Sequence, residues 1–195
     1  RLALASIEKG IDKLRINPGN IGSQEAVEKV VSAAKERNIP IRIGVNSGSL
    51  DKKFLEKYGN TPQAMVESAL EHVAILERLG YDLMVISLKS SSVIKTIDAY
   101  RSISQKIDYP LHLGVTEAGP IWRGTIKSSV GIGALLAKGI GDTIRVSLTG
   151  NPVEEVKVGR EILRSLGLLN EGVEIISCPT CGRTKIKLLN MVEEV

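Results

Sequence analysis

With 195 residues, 43 % of them apolar and 25 % charged, the chain is long enough to bury a core and too apolar to be a disordered tail. The net charge of +4 comes without a basic run or interleaved aromatics, which argues against nucleic acid as a partner. No apolar stretch is long enough to span a bilayer, and none reads as a secretory leader, so neither a membrane nor secretion is expected.

The chain opens on Arg1 rather than Met, and residues 1–9 read as a helix already under way, so it is not expected to start where its gene starts. Leu14 and Ile16 alternate as a first strand, followed by a helix with Val27, Val30, Val31 and Ala34 on one face. Ile41, Ile43 and Val45 mark a second strand, and Val66, Ala69, Leu70, Val73 and Leu76 its helix. Residues 83–88 form the third strand, before a helix carrying Val93, Ile97, Tyr100, Ile103 and Ile107. The fourth strand is expected at 111–115 with a helix near 127–138, and the fifth at 144–148 with a helix at 153–166. Gly80, Gly139, Gly141 and Gly167 stand where helices should stop.

A strand about every thirty residues, with a helix between, is the spacing of βαβ units. With one Phe and one Trp, the core must be aliphatic, as suits a parallel sheet covered by helices. Five units fit either a sector of an eight-stranded barrel or an open doubly wound sheet, with the barrel favoured. No Gly-x-Gly-x-x-Gly follows the first strand, which argues against a dinucleotide fold. The fold class expected is α/β: a partial TIM barrel over 1–170, then the start of a small α+β domain over 171–195, with a short strand at 173–176 leading to Cys178.

Between the apolar strand residues lie polar ones of constant parity: Arg15 and Asn17, then Arg42, Gly44 and Asn46, then Ser87 and Lys89. His112, Gly114 and Thr116 follow on the fourth strand, and Arg145 and Ser147 on the fifth. Because strand side chains alternate between faces, one face is aliphatic and the other gathers cations. An unpaired buried charge costs on the order of several kcal/mol, so something must neutralise them. Glu117 is the one acid near a strand end and cannot pair with four cations. Structural ion pairing with acids elsewhere competes with a bound anion, most simply a phosphate or diphosphate, whose oxygens suit the planar guanidinium fork. Small residues after the strands (18–19, 47–48, 90–91, 118–119 and 149–150) would let a ligand approach the backbone. His112 is expected to be a satisfied core or supporting histidine. His72 is expected to be chemically silent, and Trp122 to pack.

Cys178 and Cys181 sit two residues apart in CPTCGR, a turn that lets both sulfurs reach one metal. Half a zinc ribbon, half an iron–sulfur site, a redox dithiol and unrelated thiols all fit, zinc slightly ahead on spacing alone. A pair so close cannot staple a domain, so a reducing compartment is expected.

Five segments in order, LRINPGNIG (14–22), PIRIGVNSGSL (40–50), LHLGVTEAG (111–119), GIGDTIRVSL (139–148) and SCPTCGR (177–183), resemble 4-hydroxy-3-methylbut-2-enyl diphosphate synthase of the non-mevalonate isoprenoid pathway. The resemblance implies a TIM barrel followed by an iron–sulfur domain. It also implies reductive ring opening of 2-C-methyl-D-erythritol 2,4-cyclodiphosphate with loss of water, at the expense of two electrons from ferredoxin or flavodoxin. It implies a 4Fe-4S cluster held by three cysteines and a glutamate, and a cytoplasmic (bacterial or plastid-stromal) homodimer in which one subunit's cluster domain caps the other's barrel. By position, Arg15, Arg42, Lys89, Arg145 and Ser147 resemble diphosphate contacts, and Asn17, Asn46 and His112 line the same pocket. Glu117 resembles the catalytic acid near the departing hydroxyl, and Cys178 and Cys181 the first two cluster ligands. The third cysteine and the glutamate are expected downstream, and further barrel strands upstream, so the chain by itself is expected to be inactive. Two alternatives remain: a cluster-free phosphate-ester barrel enzyme of pterin-synthase type, and a binding module with a zinc-ribbon tail.

Overall fold

The structure is a computed structural model that describes residues 1–17, 24–173 and 176–193. Five parallel strands follow the chain in order: β1 (Leu14–Ile16), β2 (Ile41–Asn46), β3 (Met84–Lys89), β4 (His112–Leu113) and β5 (Thr143–Ile144). Eight α-helices occur among the described residues: α1 (Leu2–Glu8), α2 (Gln24–Glu36), α3 (Lys52–Tyr58), α4 (Pro62–Arg78), α5 (Val93–Ile103), α6 (Ile121–Leu136), α7 (Pro152–Ser165) and α8 (Leu188–Glu193).

Ladder hydrogen bonds join β1, β2 and β3 in one sheet and β4 with β5 in another. A single parallel bridge, Ile86 to Leu111, carries the sheet across from β3 to β4. Every strand thus lies beside its neighbour in sequence, with no reversal of order. A doubly wound sheet reverses at its switch point, and a barrel does not. The arrangement is a sector of a (β/α) barrel, and the doubly wound alternative falls.

The seam between β3 and β4 has a chemical cause. The Tyr100 hydroxyl, delivered by α5, accepts from the Leu88 N–H at 3.0 Å and donates to the His112 carbonyl. A side chain takes up backbone groups that a longer ladder would have used. Regular pairing of β4 with β5 is also shorter than the alternation at 111–115 and 144–148 suggests. Beyond β5 the extended chain is held by other means: Leu148 N–H donates to Glu155 at 2.8 Å, and Thr149 N–H to the Gly119 carbonyl at 2.9 Å.

The aliphatic parity is buried throughout. Leu14, Ile41 and Met84 form one row across the sheet, and Ile16, Ile43, Ile86 and Leu111 the next. They meet Val27, Val30, Val31 and Ala34 of α2, the inner face of α4, and Ala99, Tyr100 and Ile103 of α5 in one core. Burying each such aliphatic side chain contributes roughly 1.5–3 kcal/mol. Thr61 caps α4 through the Ala64 N–H at 3.2 Å, and Pro62 occupies the first helical position, where its missing N–H costs nothing.

Four expectations change. Helix α3 was not anticipated, although Asp51 caps it by accepting from Lys53 N–H at 3.1 Å and Gly59 ends it at φ +66°. Helix α6 begins six residues earlier than 127, because Gly124 and Gly131 disguise a helix that packs too closely for side chains there. Helix α5 stops at Ile103, and Ile107 packs from the turn after it. Trp122 is 77 % exposed on the outer face of α6 and does not pack in the core, being on the opposite side of that helix from Ser128, Ile132 and Leu135. The strand expected at 173–176 lies partly, and the loop at 18–19 wholly, outside the described residues. No helix among the described residues is long and apolar enough to cross a membrane.

Candidate anion site on the inner face of the barrel sector

The polar parity faces away from the helices, and register places its members side by side. Arg15 lies opposite Arg42, Asn46 opposite Lys89, and His112 opposite Thr143. Arg15 reaches across β2 and donates to the Gly44 carbonyl at 3.1 Å. A Cβ at residue 44 would stand 2.9 Å from Nη2 of Arg15, so glycine is what lets that guanidinium lie flat on the sheet. Gly114 does the same for Lys89: a Cβ there would stand 3.0 Å from Nζ and 2.6 Å from the Arg145 carbonyl. The two strand glycines are the floor on which the cations rest.

Lys89 is only 4 % exposed, and its Nζ has no hydrogen-bond partner among the described residues. Nε of Arg42 and Nε2 of His112 are likewise buried and unpartnered, while His112 Nδ1 meets the Thr143 hydroxyl at 2.8 Å. Ion pairs among the described residues join Lys53 to Glu71, Lys106 to Glu67, Lys157 to Glu154, Arg160 to Glu171 and Arg164 to Glu161. None involves Arg15, Arg42, Lys89 or Arg145. The nearby acids are occupied otherwise, Asp142 by the Leu111 N–H at 2.7 Å and Glu155 by that of Leu148.

The electrostatic consequence is mutual repulsion. Burial, then Arg145, Arg42 and Arg15, push the Lys89 amine down to about 7. Burial, then Lys89, Arg42, Arg145 and Lys13, push His112 down to about 3, so it is neutral at physiological pH. Burial, then Arg15 and Arg145, also lower the Arg42 guanidinium from its ordinary value. Structural ion pairing therefore does not account for the cations.

Asn17 and Asn46 stand half-buried at the ends of their strands, and Ser147 half-buried beyond β5. Glu117 follows β4 on an exposed loop at φ +52°, a left-handed backbone that costs a non-glycine residue on the order of 1 kcal/mol. It makes no ion pair with the cluster among the described residues. At the strand ends Ser47 donates to Ser90 at 3.1 Å, and Thr96 and Ser92 organise the start of α5 around Ser90. Reading the sequence missed Tyr100 as the tie between β3 and β4, Thr143 as the partner of His112, and the space-making role of Gly44 and Gly114. Only the glycines left a trace, as small residues on a parity otherwise occupied by polar side chains. His72 is buried on α4 with Nδ1 unpartnered, and burial holds its pKa below the usual value.

Cys178 and Cys181 are free and exposed. The Cys181 thiol is held below its ordinary pKa by the Arg183 backbone N–H first and then by the Thr184 hydroxyl. Amide protons aimed at sulfur favour thiolate, so the turn suits metal ligation. No group of three or more His, Cys, Asp or Glu able to hold a metal occurs among the described residues.

Parallel order, helices on one face and a cation cluster on the other define a (β/α)-barrel sector with its cations gathered on the inner face. The chain belongs to the family described as the GcpE TIM-barrel domain, whose pattern matches residues 1–160. It is 68 % identical over 196 aligned positions to a 4-hydroxy-3-methylbut-2-en-1-yl diphosphate synthase (flavodoxin) of Clostridium perfringens, covering 100 % of this chain and 56 % of that protein. Proteins of the same description from Caldanaerobacter subterraneus subsp. tengcongensis and Geobacter sulfurreducens are 67 % and 63 % identical, with 100 % of this chain and 55 % and 56 % of theirs covered. The chain spans about half the length of the curated relatives it matches.

Proposed function

We propose that this chain forms the substrate-binding barrel sector of an enzyme that converts 2-C-methyl-D-erythritol 2,4-cyclodiphosphate to 4-hydroxy-3-methylbut-2-enyl diphosphate. The observation that carries the reading is the cluster of Arg15, Arg42, Lys89 and Arg145, held on one face without a carboxylate partner among the described residues. The flavodoxin named in the relatives' descriptions is the electron donor in this reading. The boundary with the following domain falls near residue 170.

The reaction takes in two electrons and, net, one proton, releases one water and leaves one more negative charge on the diphosphate. Cys178 and Cys181 would hold part of a 4Fe-4S cluster, with a third cysteine and a glutamate from outside this chain as its other ligands, and such a group would supply the electrons. Opening the ring turns a bridging phosphate oxygen into a terminal one, so negative charge on the diphosphate grows as the reaction proceeds. Fixed guanidinium and ammonium groups therefore bind the opening ring more tightly than the closed one, which is the requirement for catalysis by electrostatics. Asn17, Asn46, Ser147 and neutral His112 orient the substrate through uncharged contacts. Glu117 serves as the acid that protonates the departing hydroxyl. We place the protein in the bacterial cytoplasm as a homodimer; the exposed outer face of α6, with Trp122, Ile126 and Val130 in register, is consistent with a second subunit covering part of the barrel.

The test is turnover of the cyclic diphosphate by the anaerobically prepared intact protein with reduced flavodoxin. Glu117→Gln is expected to lower kcat by 100-fold or more, on the order of a lost general acid, while leaving substrate binding within about threefold. Full kcat in that variant would remove Glu117 from the chemistry, and absence of turnover in the cluster-loaded unmutated protein would overturn the assignment.

A further inference from the structure

We propose that diphosphate binding is coupled to proton uptake by Lys89, which is uncharged in a large fraction of ligand-free molecules and becomes an ammonium as the anion arrives. The inference rests on the anion-site reading above and adds a protonation step to it.

The geometry isolates Lys89 as the group that must yield. It is nearly fully buried on β3, and its Nζ has no hydrogen-bond partner among the described residues. Every charged group facing it is positive: Arg15 from β1, Arg42 from β2 and Arg145 from beyond β5. His112 of β4 is neutral under the same pressure, and Tyr100 of α5 is a buried, un-ionised phenol whose oxygen is occupied by Leu88 and His112. Among the described residues no acid answers: Asp142 and Glu155 accept from backbone N–H groups, and Glu117 is exposed and makes no ion pair with the cluster. A guanidinium does not release its proton in a protein, whereas a buried amine does so readily. Burial of the amine first, and repulsion from three guanidinium groups second, drive the proton off, in keeping with its fall to about 7.

A diphosphate reverses the balance. Its negative oxygens favour the ammonium, and a proton moves from solvent to Nζ as the ligand enters. Above neutrality that proton must be drawn from an increasingly dilute supply, so affinity weakens with pH, at most about tenfold per unit.

The experiment is calorimetric titration of the intact protein with inorganic pyrophosphate at pH 7, in buffers of differing ionisation enthalpy, for the unmutated protein and Lys89→Arg. Pyrophosphate's own protonation cancels in the comparison. The unmutated protein is expected to take up about half a proton more per ligand at pH 7, and nearer one proton at a pH one unit higher. Lys89→Met, which also cannot titrate, is expected to lose the same uptake while binding about tenfold or more weakly. A measurement needing no variant is the 13Cε shift of labelled lysine: one signal should titrate near neutrality in free protein and stop doing so when pyrophosphate saturates it. Equal uptake by binding-competent variants, or no lysine titrating near neutrality, overturns the coupling and leaves the anion site standing. Absence of pyrophosphate binding by the unmutated protein overturns the anion site, and the coupling with it.

Discussion

Lys89 and His112 share their positive neighbours, and both are pushed toward neutrality, one to about 7 and the other to about 3. For a base whose folded value is depressed, the unfolded chain binds more protons across the gap between the two values, so stability rises with pH there. For His112 the gap runs from about 3 up to the ordinary 6.5, and for Lys89 from about 7 up to 10.5. Denaturant unfolding of the ligand-free protein should therefore show stability climbing across both windows, with Lys89→Met flattening the upper one. A flat profile above neutrality in the unmutated protein would contradict the isolation of Lys89. The glycine floor makes a second claim. Gly114→Ala places a methyl 2.6 Å from a backbone carbonyl that cannot swing aside, and should cost about 1–3 kcal/mol. Gly48→Ala, with nothing within 4 Å, should stay within about 0.5 kcal/mol of the unmutated protein.

Among the elements, α6 shows why part of the fold was hard to read. Its glycines look like helix breakers, and propensity alone puts the helix start too late. Gly131 is there because a Cβ would press to 2.6 Å on Val115 Cγ2, and Gly124 because one would stand 2.9 Å from the Gly119 carbonyl. Contact with a distant strand is not visible in a local pattern. Helix α3 was legible and passed over, since Asp51 and Gly59 bracket it as cap and terminator. The pair Gly131→Ala and Gly133→Ala separates packing from propensity. The first should destabilise by about 1–3 kcal/mol despite its better helix former. The second, with open space around it, should stabilise by up to about 1 kcal/mol. Equal effects in thermal or denaturant unfolding would mean that the close approach of α6 to Val115 is misplaced. Tyr100→Phe should cost about 1–3 kcal/mol, because it strands the buried Leu88 N–H and the His112 carbonyl together.

For the molecule as a whole, alternation of period two told both what the sheet buries and what it gathers. Arg15, Arg42, Lys89 and Arg145 could be assigned to one face from parity alone, because strand geometry leaves two choices for every side chain. Strand order could not, since a barrel sector and a doubly wound sheet are built from the same units. The bridge between Ile86 and Leu111 decides between them. Ligand preferences of the Cys178–Cys181 turn were equally beyond spacing, because two sulfurs suit several metals. The central claim is that the inner face is completed by an oligophosphate. It is tested most directly by thermal unfolding of the intact protein with increasing inorganic pyrophosphate, since a ligand that binds only the folded state raises Tm with its concentration. A concentration-dependent rise in Tm, largely lost in Arg42→Met and Lys89→Met, is the predicted result; no rise in the unmutated protein, or the full rise retained by both variants, would contradict it.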